Sequence, residues 1–537
     1  MNPAVAPAHP LAAGHVPGDE IRAPFGDRTV PWLLARYRNA VPDKVFLTWE
    51  PHTGAAAQSW TYEEFGIAVD RLAAGLQARG VAPGDRVVLL MDNCPDFLAG
   101  WSAIVSIGAV AVCLNTRSSA DELAYFDEHA APRAALVGTR FADTVAAAMP
   151  GLSWTVTTTG TDAFGDATDG PLAELTGIAD VPTPVRIDPM AAATVQYTSG
   201  TTARPKAVVW THTNCLWAAR TNAAHAGLRP DDTGLITLPL FHTNALGYSF
   251  LGLLWVGASI VLTPGFSASR FWDVSVRQRC TWVSVVSFML RALAARPVPD
   301  DHRYRHWSGS TSVLWGPTGI RTTGWFGMTE TVSHPVVSEL DHPDPDGTMG
   351  LPAPEYAVAV VDEDGLAVEP GVVGELWVRG VVGVSLFAGY YRNDEATRDA
   401  FTESGWFRTG DRVSRDRTGR LRYVERAKDM LKVGGENVAA AEVERVVAAV
   451  PGVREVAVVA APDHMLGDVP VAFVIATERA ADGLVSDIEA ACERMLSDFK
   501  RPRQIRLVDE LPRSTLDKVA KARLRALLAN EVEAPAG

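Results

Sequence analysis

Along the first four-fifths of the chain, short and nearly continuous apolar runs alternate with longer stretches of helical spacing. "DRVVLLMDN" (Asp85–Asn93) reads as a buried strand, followed by a helical pattern from Pro95 and a second strand, "AVAVCL" (Ala109–Leu114). "ATVQYTS" (Ala193–Ser199) is a strand that runs into a hydroxyl-rich loop. "THTNCLWAARTNAAHAG" beyond it opens on N-cap residues and reads as a helix. "TGLITLPL" (Thr233–Leu240) is a further buried strand. This succession predicts βαβ units in a layered α/β architecture.

The style changes near Arg426. Beyond it come a helix ("AAEVERVVAAV"), two strands ("REVAVVAAP" and "VPVAFVIAT") and helices around Ser486–Ser497 and Lys518–Leu528, enough for a compact α+β domain. The join, "ERAKDMLKVGGENV", is charged, carries a double glycine and reads as a mobile linker. The expected division is a flexible tail over 1–30, a large α/β domain over 31–425, a hinge at 426–430 and a small α+β domain over 431–537. No internal repeat interrupts it.

Two apolar runs, Phe97–Leu114 and Tyr248–Leu262, raise the question of a membrane. Both contain Ser and Gly and both abut turn signals, so each reads as a buried helix running into a buried strand. At 537 residues the chain is too long for one core. With 47% hydrophobic and 21% charged residues it has the composition of a soluble globular enzyme. A net charge of -14 argues against nucleic acid or an anionic membrane as the main partner. Cys94, Cys113, Cys215, Cys280 and Cys492 are scattered, with no ligand spacing, which points away from disulfides and zinc and towards a reducing cytoplasm. Met1–Val16 has neither a basic start nor an apolar core and reads as a loose tail, not a signal peptide.

Candidate chemistry centres on Tyr197–His212, "YTSGTTARPKAVVWTH". Hydroxyls and backbone N–H groups after a strand can wrap a phosphate chain, and Lys206 adds charge. It is not a Walker loop, because no glycine precedes Lys206 and no Ser or Thr follows it. Alone, the stretch could equally be an ordinary polar turn. Downstream, however, stand "LPLFHTNAL" (Leu238–Leu246), "GWFGMTET" (Gly324–Thr331), "GYYRNDEAT" (Gly389–Thr397), "GWFRTGD" (Gly405–Asp411), "RAKDMLKVGGENV" (Arg426–Val438) and "LPRSTLDKVAK" (Leu511–Lys521). In this order they resemble the adenylate-forming superfamily of acyl-CoA synthetases, luciferases and non-ribosomal adenylation domains, from about Pro31 to Leu528. "FSASRFWDVSVRQRCTWVSVVSFMLRAL" (Phe266–Leu293) is most similar to the carnitine/crotonobetaine–CoA ligase branch.

The resemblance implies an AMP-forming acid–thiol ligase using ATP, Mg²⁺ and a small-molecule acid, with CoA as co-substrate. A carboxylate attacks the α-phosphate, pyrophosphate leaves, and a thiol then displaces AMP. Because the first step joins two anions, cations and dipoles must offset their repulsion. By resemblance, Thr198, Ser199, Gly200, Thr201, Thr202 and Lys206 wrap the β- and γ-phosphates. Thr329 bonds the α-phosphate, Glu330 binds the metal, Asp411 accepts both ribose hydroxyls and Arg426 supports ribose or phosphate. Phe326 and Gly327 join the nucleotide site, Phe326 standing where a tyrosine is common. Lys518 resembles the lysine that bridges carboxylate and ATP, and Lys428 takes the hinge position. Gly434 and Gly435 line the pantetheine tunnel, where missing side chains permit close approach. His242 gates the acyl pocket without a proton-transfer role, and Trp282–Phe288 and Trp325 wall it, with plain core as the alternative for these aromatics.

Three departures cluster at the nucleotide site. Ala203 and Ala207 replace the usual glycines; a methyl costs roughly 1–2 kcal/mol where φ must be positive and otherwise stiffens the loop. "HWSGSTSVLWGPTGIRTTGWFGMTE" lacks the usual Ala-Pro pair of the adenine loop, and Ser308–Gly324 is too poor in helix formers to hold a helix. Asp517 stands before Lys518 in place of glycine and favours the lysine's charged form. The general reaction survives these breaks, while substrate and acceptor stay open. The readings are an acid–CoA ligase; an adenylate-former of specialised metabolism using an amine, a carrier protein or nitrite for diazotisation; and a non-catalytic nucleotide-binding relative. Retention of Thr329, Glu330, Asp411, Arg426 and Lys518 weighs against the last. Monomer and homodimer are equally open.

Overall fold

The computed structural model describes residues 24–165, 172–198, 204–294, 296–309, 319–340, 344, 347–426, 430–477, 483–512, 519 and 521–533. Beside a three-stranded and a four-stranded antiparallel sheet, the large domain is built, among the described residues, on two seven-stranded sheets. One runs Gln58–Thr61, Val45–Trp49, Ser259–Leu262, Thr233–Ile236, Trp282–Ser284, His306–Ser308, Arg321–Thr323, parallel except at the Gln58–Thr61 edge. The other runs Trp154–Thr158, Ala134–Gly138, Arg86–Leu90, Val110–Cys113, Ala192–Thr198, Lys206–Thr211, Gly389–Tyr390, parallel except in the last two pairings, which are antiparallel. The layered α/β expectation holds.

Both apolar runs fold as expected. Pro95–Ser106 is a helix buried on all sides, which is why its sequence shows no polar face. Gly108, at φ +73°, turns it into the strand Val110–Cys113. Likewise Asn244–Leu251, a π-helix, continues into Gly252–Val256 and turns at Gly257 into Ser259–Leu262. A side chain at Gly257 would stand 2.3 Å from the Tyr37 ring at φ +73°, so only glycine fits. Among the described residues no helix is long and apolar enough to cross a membrane.

The helix after the hydroxyl-rich loop spans His212–His225, capped by a reciprocal pair between Thr211 and Asn214. The strand expected over Thr233–Leu240 ends at Ile236. Beyond it the chain is held by a side chain instead of a neighbouring strand: the Asn93 amide donates to Leu238 O (2.8 Å) and accepts from Leu240 N (2.8 Å).

Leu421–Arg426 is the edge of a four-stranded antiparallel sheet with Phe407–Arg415, Val373–Arg379 and Ala357–Val361. From Met430 the chain pairs in a different, five-stranded sheet: Glu436–Ala439, Met430–Val433, Gly467–Ala476 and Val453–Asp463 antiparallel, with Gln504–Leu507 parallel beside Gly467–Ala476. Helices Ala440–Ala448 and Leu484–Met495 cover one face, and Lys521–Glu533 covers the other through Leu524 and Leu528. The mobile-linker reading of residues 425–438 is therefore corrected from Met430 onward. Leu431, Val433 and Val438 are buried in the small core, and Val433 faces Glu436 across a two-residue turn. Gly434 (φ +59°) and Gly435 (φ +92°) supply the paired positive φ that such a tight hairpin turn requires.

Candidate active site

The strands on either side of the hydroxyl-rich stretch, Ala192–Thr198 and Lys206–Thr211, pair antiparallel. Tyr197 faces Ala207 and Thr198 faces Lys206, and the Thr198 hydroxyl donates to Lys206 O at 3.4 Å. Ser199, Gly200, Thr201, Thr202 and Ala203 fall between them, outside the described residues. Ala207 is a buried strand residue without a positive φ, so its methyl carries no left-handed strain. The Lys206 ammonium lies 4.8 Å from the Tyr390 ring centroid. Pairing of Gly389–Tyr390 with the hairpin places that ring, and the Tyr390 hydroxyl donates to Glu330 Oε1 at 2.9 Å. Hairpin, tyrosine and carboxylate thus form one chain of contacts.

Thr329 and Glu330 sit on a single 3₁₀ turn, Thr329–Thr331, fixed from three sides. Trp210 Nε1 donates to Thr329 O (2.8 Å), Phe387 N to Glu330 O (2.9 Å) and the Tyr356 hydroxyl to Thr331 O (2.8 Å). The Thr329 hydroxyl is aimed by Thr243, whose Oγ1 stands 2.9 Å from it and 2.8 Å from Gln196 Oε1. Gln196 lies two residues before Thr198, so one polar line runs from the phosphate hairpin to Thr329. The Gln196 Nε2 is buried without a hydrogen-bond partner, a donor held ready beside that line. Space at Gly327 is tight, because a Cβ there would meet the Tyr248 hydroxyl at 2.8 Å and Ser333 O at 3.1 Å. Phe326 is buried in the main core.

Asp411 is buried on Phe407–Arg415, directly opposite Arg426 in the register, with the Tyr423 hydroxyl 3.3 Å from its Oδ1. Lys428, Asp517 and Lys518 lie outside the described residues.

At the far side of the turn, the small domain reaches in. His242 Nε2 lies 3.0 and 3.1 Å from the two Glu436 oxygens, across 194 residues of sequence. Burial acts to lower the His242 imidazole, but the Glu436 charge and hydrogen bond outweigh it and hold it above the ordinary value. Burial likewise acts to raise Glu436, and His242 brings it below the usual carboxylate range. Gly435, one residue before, approaches the Phe288 ring to 3.4 Å for a virtual Cβ. Gly434, Gly435, Phe288 and His242 therefore converge. Trp282, for which pocket wall and plain core were the two readings, is fully buried in the core.

The sequence pattern described as AMP-binding enzyme matches residues 34–391, and that described as AMP-binding enzyme C-terminal domain matches 442–518. The chain belongs to the AMP-binding enzyme family. It is similar to the crotonobetaine/carnitine–CoA ligase of Proteus mirabilis, 31% identical over 90% of this chain and 96% of that one. Among solved structures it resembles a double mutant of o-succinylbenzoate CoA synthetase from Bacillus subtilis bound with its product analogue (TM-score 0.80, 28% identity, 92% and 98% of the two chains). It also resembles the amide bond synthetase McbA from Marinactinospora thermotolerans (TM-score 0.77, 25% identity, 92% and 99% covered). Relatives matched over nearly their whole length are named CoA ligases, and this chain is a ligase-like enzyme of that family.

The magnesium expected from the resemblance can be tested against the side chains present. Among the described residues there is no cluster of three metal-ligating side chains. A single buried carboxylate, Glu330, suits an ion whose other ligands are phosphate oxygens and water, so the donor set fits. Four residues of this site, Gln196, Thr243, Tyr390 and Glu436, were given no role by the sequence reading. Thr243, Tyr390 and Glu436 stood inside recognised motifs, but Gln196 carried no signal of its own.

Proposed function

We propose that the enzyme activates a small acid as its adenylate, releasing pyrophosphate, and passes it to a thiol, with CoA as acceptor. The observation that carries this reading is the convergence of the Gly434–Gly435 turn and Glu436 on His242, beside Thr329. A glycine-lipped entry at the reaction centre suits a slender pantetheine arm.

Thr198 and Lys206, with residues 199–202, hold the β- and γ-phosphates. Thr329, aimed by Thr243, donates to the α-phosphate. Glu330 would hold the magnesium ion, whose charge would offset that of the phosphates. Asp411 takes the ribose hydroxyls with Arg426 behind it, and Phe326 and Gly327 border the nucleotide. The change of sheet between Arg426 and Met430 supports a hinge at 426–430, with Lys428 in it, between domains at 31–425 and 431–537. The described free cysteines are all buried, which suits a reducing cytoplasm.

The size of the acid follows from a ring cluster. Trp325 stacks on His334 at 4.4 Å and meets Tyr248 edge-on at 5.5 Å, while Tyr248 meets His334 at 4.3 Å. Burial pushes the Tyr248 phenol well above its ordinary value and His334 well below, so both rings are neutral. With Trp325 taken as the pocket wall, we read the two rings packed behind it as favouring a short acid. That favours a second reading in which the activated anion is as small as nitrite and the acceptor is an amine, as the likeness to an amide bond synthetase allows. A series of acids of increasing length, and nitrite with aryl amines, assayed for AMP and pyrophosphate, tests both. Short acids or nitrite should be best for the native enzyme, and Trp325→Ala should move the preference to longer acids. A long-chain acid as best native substrate would overturn the size argument, and stoichiometric ADP would overturn adenylate formation.

The His242–Glu436 pair predicts a pH signature. A raised imidazole pKa contributes docking energy that is fully present below the unpaired value, about 6.5, and is lost as pH rises through the raised one. The lowered Glu436 loses its share only on the acid side, as pH falls through its depressed value. With preformed adenylate, the ratio of native to Glu436→Gln acceptor-step rates should therefore fall as pH rises above neutrality. A ratio flat from pH 6 to pH 9 would remove the pair from the mechanism.

A further inference from the structure

The small domain meets the large one at a second place, and there the contact is ionic and dry. Helix Ala120–Ala130 of the large domain opens with a reciprocal cap, Glu122 N donating to Ser119 Oγ (3.2 Å) and Ser119 N to Glu122 Oε2 (2.7 Å). The same Oε2 accepts from Ser497 Oγ of the small domain at 2.8 Å. Glu122 Oε1 accepts from the Lys500 ammonium, which also donates to Glu442 Oε1 at 2.9 Å. Lys500 is 4% exposed, Glu122 5% and Glu442 3%.

The ammonium thus stands between a carboxylate of its own domain and one of the other. Around it, Ser119 Oγ donates to Met495 O (2.9 Å), and Arg117 pairs with Asp498 (2.6 Å) while its guanidinium lies 4.4 Å from the Phe499 ring centroid. Asp121, next to Glu122, faces Arg204 at 3.6 Å and Arg445 of the small domain at 3.9 Å. Burial acts to lower Lys500, and the two carboxylates outweigh it and keep it charged. If the small domain rotates, Glu442 travels with Lys500 and Glu122 stays behind. One charge pair is intact in either state; the other exists only when the domains are docked as here.

We propose that Glu122 and Lys500 are positioning residues: an interdomain clasp that selects the arrangement in which Gly434–Glu436 reach His242, and so serves the acceptor step and not adenylate formation. A buried ion pair suits such a task, because it rewards one geometry and penalises near misses in which a charge is dry and unpaired. The kinetic part rests on the two-step reaction proposed above; the structural part does not.

The test uses the full chain with Glu122→Gln, which keeps the helix cap and removes the charge, together with Lys500→Met and Lys500→Arg. Adenylate formation without acceptor should stay within about twofold, while single-turnover consumption of preformed adenylate by CoA slows about tenfold or more, the scale of losing a coupling interaction between two sites. Lys500→Arg should recover most of that loss. Glu122→Gln combined with Lys500→Met should slow the step no further than the worse single change, because both remove the same interaction. In parallel, small-angle scattering of the native chain and of Glu122→Gln, each with AMP and CoA, should show the variant leaving this compact arrangement. Equal slowing of both steps, or native kinetics and native scattering in Glu122→Gln, would overturn the clasp. If no acid supports pyrophosphate release, the reaction reading fails and scattering alone decides the clasp.

Discussion

Lys518→Ala is expected to slow adenylate formation by about 10²–10³-fold or more, the scale of losing one electrostatic stabiliser, while transfer from a supplied adenylate is much less affected. The reason lies in how the small domain is built. Leu511 and Val519, on either side of the lysine segment, pack with Leu524, Leu528 and Phe473 on one face of the five-stranded sheet. Leu431, Val433 and Val438 of the glycine hairpin pack on the opposite face, with Val443 and Ile488. In the two-step reaction proposed above, a domain carrying two functional segments would present them to the reaction centre in turn. Here the hairpin is the one at His242. Asp517→Gly should change the first step only modestly if Asp517 merely pairs with Lys518. If Asp517 instead recognises an amine substrate, the KM for that amine should rise alone. Equal loss of both half-reactions in Lys518→Ala, followed by rapid kinetics, would make the lysine structural and refute the division of labour.

Glu330→Gln should lower adenylate formation by about 10²–10³-fold as well, for a different reason. The amide keeps the size of the side chain and its place on the 3₁₀ turn but removes the charge that would hold the ion. Raising magnesium should therefore recover part of the loss, whereas Thr329→Val, which removes a donor and not a metal ligand, should show no such recovery. Tyr390→Phe leaves the carboxylate in place without its 2.9 Å hydrogen bond. Hydrogen bonds to charged groups contribute about 1.5–3 kcal/mol, so this variant should fall between native and Glu330→Gln. Pyrophosphate release measured across a magnesium titration separates the three. If Glu330→Gln keeps native activity at low magnesium, the carboxylate serves the fold alone.

Periodicity was enough to read the buried helix Pro95–Ser106, its continuation into Val110–Cys113, and the capped start of His212–His225, because burial on all sides and a Thr/Asn cap are properties of consecutive residues. The ordered motifs likewise carried Thr329, Glu330, Asp411 and the two glycines. Residues 430–439 were readable in part. Two adjacent glycines between alternating apolar positions signal a hairpin, but the charges around them masked it as a linker. Charge near a turn reports solvent on one face and says nothing of the other, and only the small core showed Leu431, Val433 and Val438 to be inside.

Partners distant in sequence were another matter. Nothing local to Lys206–Thr211 says that it folds back on Ala192–Thr198; that antiparallel pairing is what fixes Ala207 in an extended conformation. That Gln196 and Thr243 line up with Thr329 is invisible until three separate elements bring their side chains together. Glu436 finds His242 across 194 residues, and Lys500 finds Glu122 across 378. An isolated side chain encodes its capacity to donate, accept or carry charge. Which group it meets, and whether water is excluded when they meet, depends on how sheets and domains pack, and in this protein that packing turns ordinary glutamates, threonines and a lysine into a site.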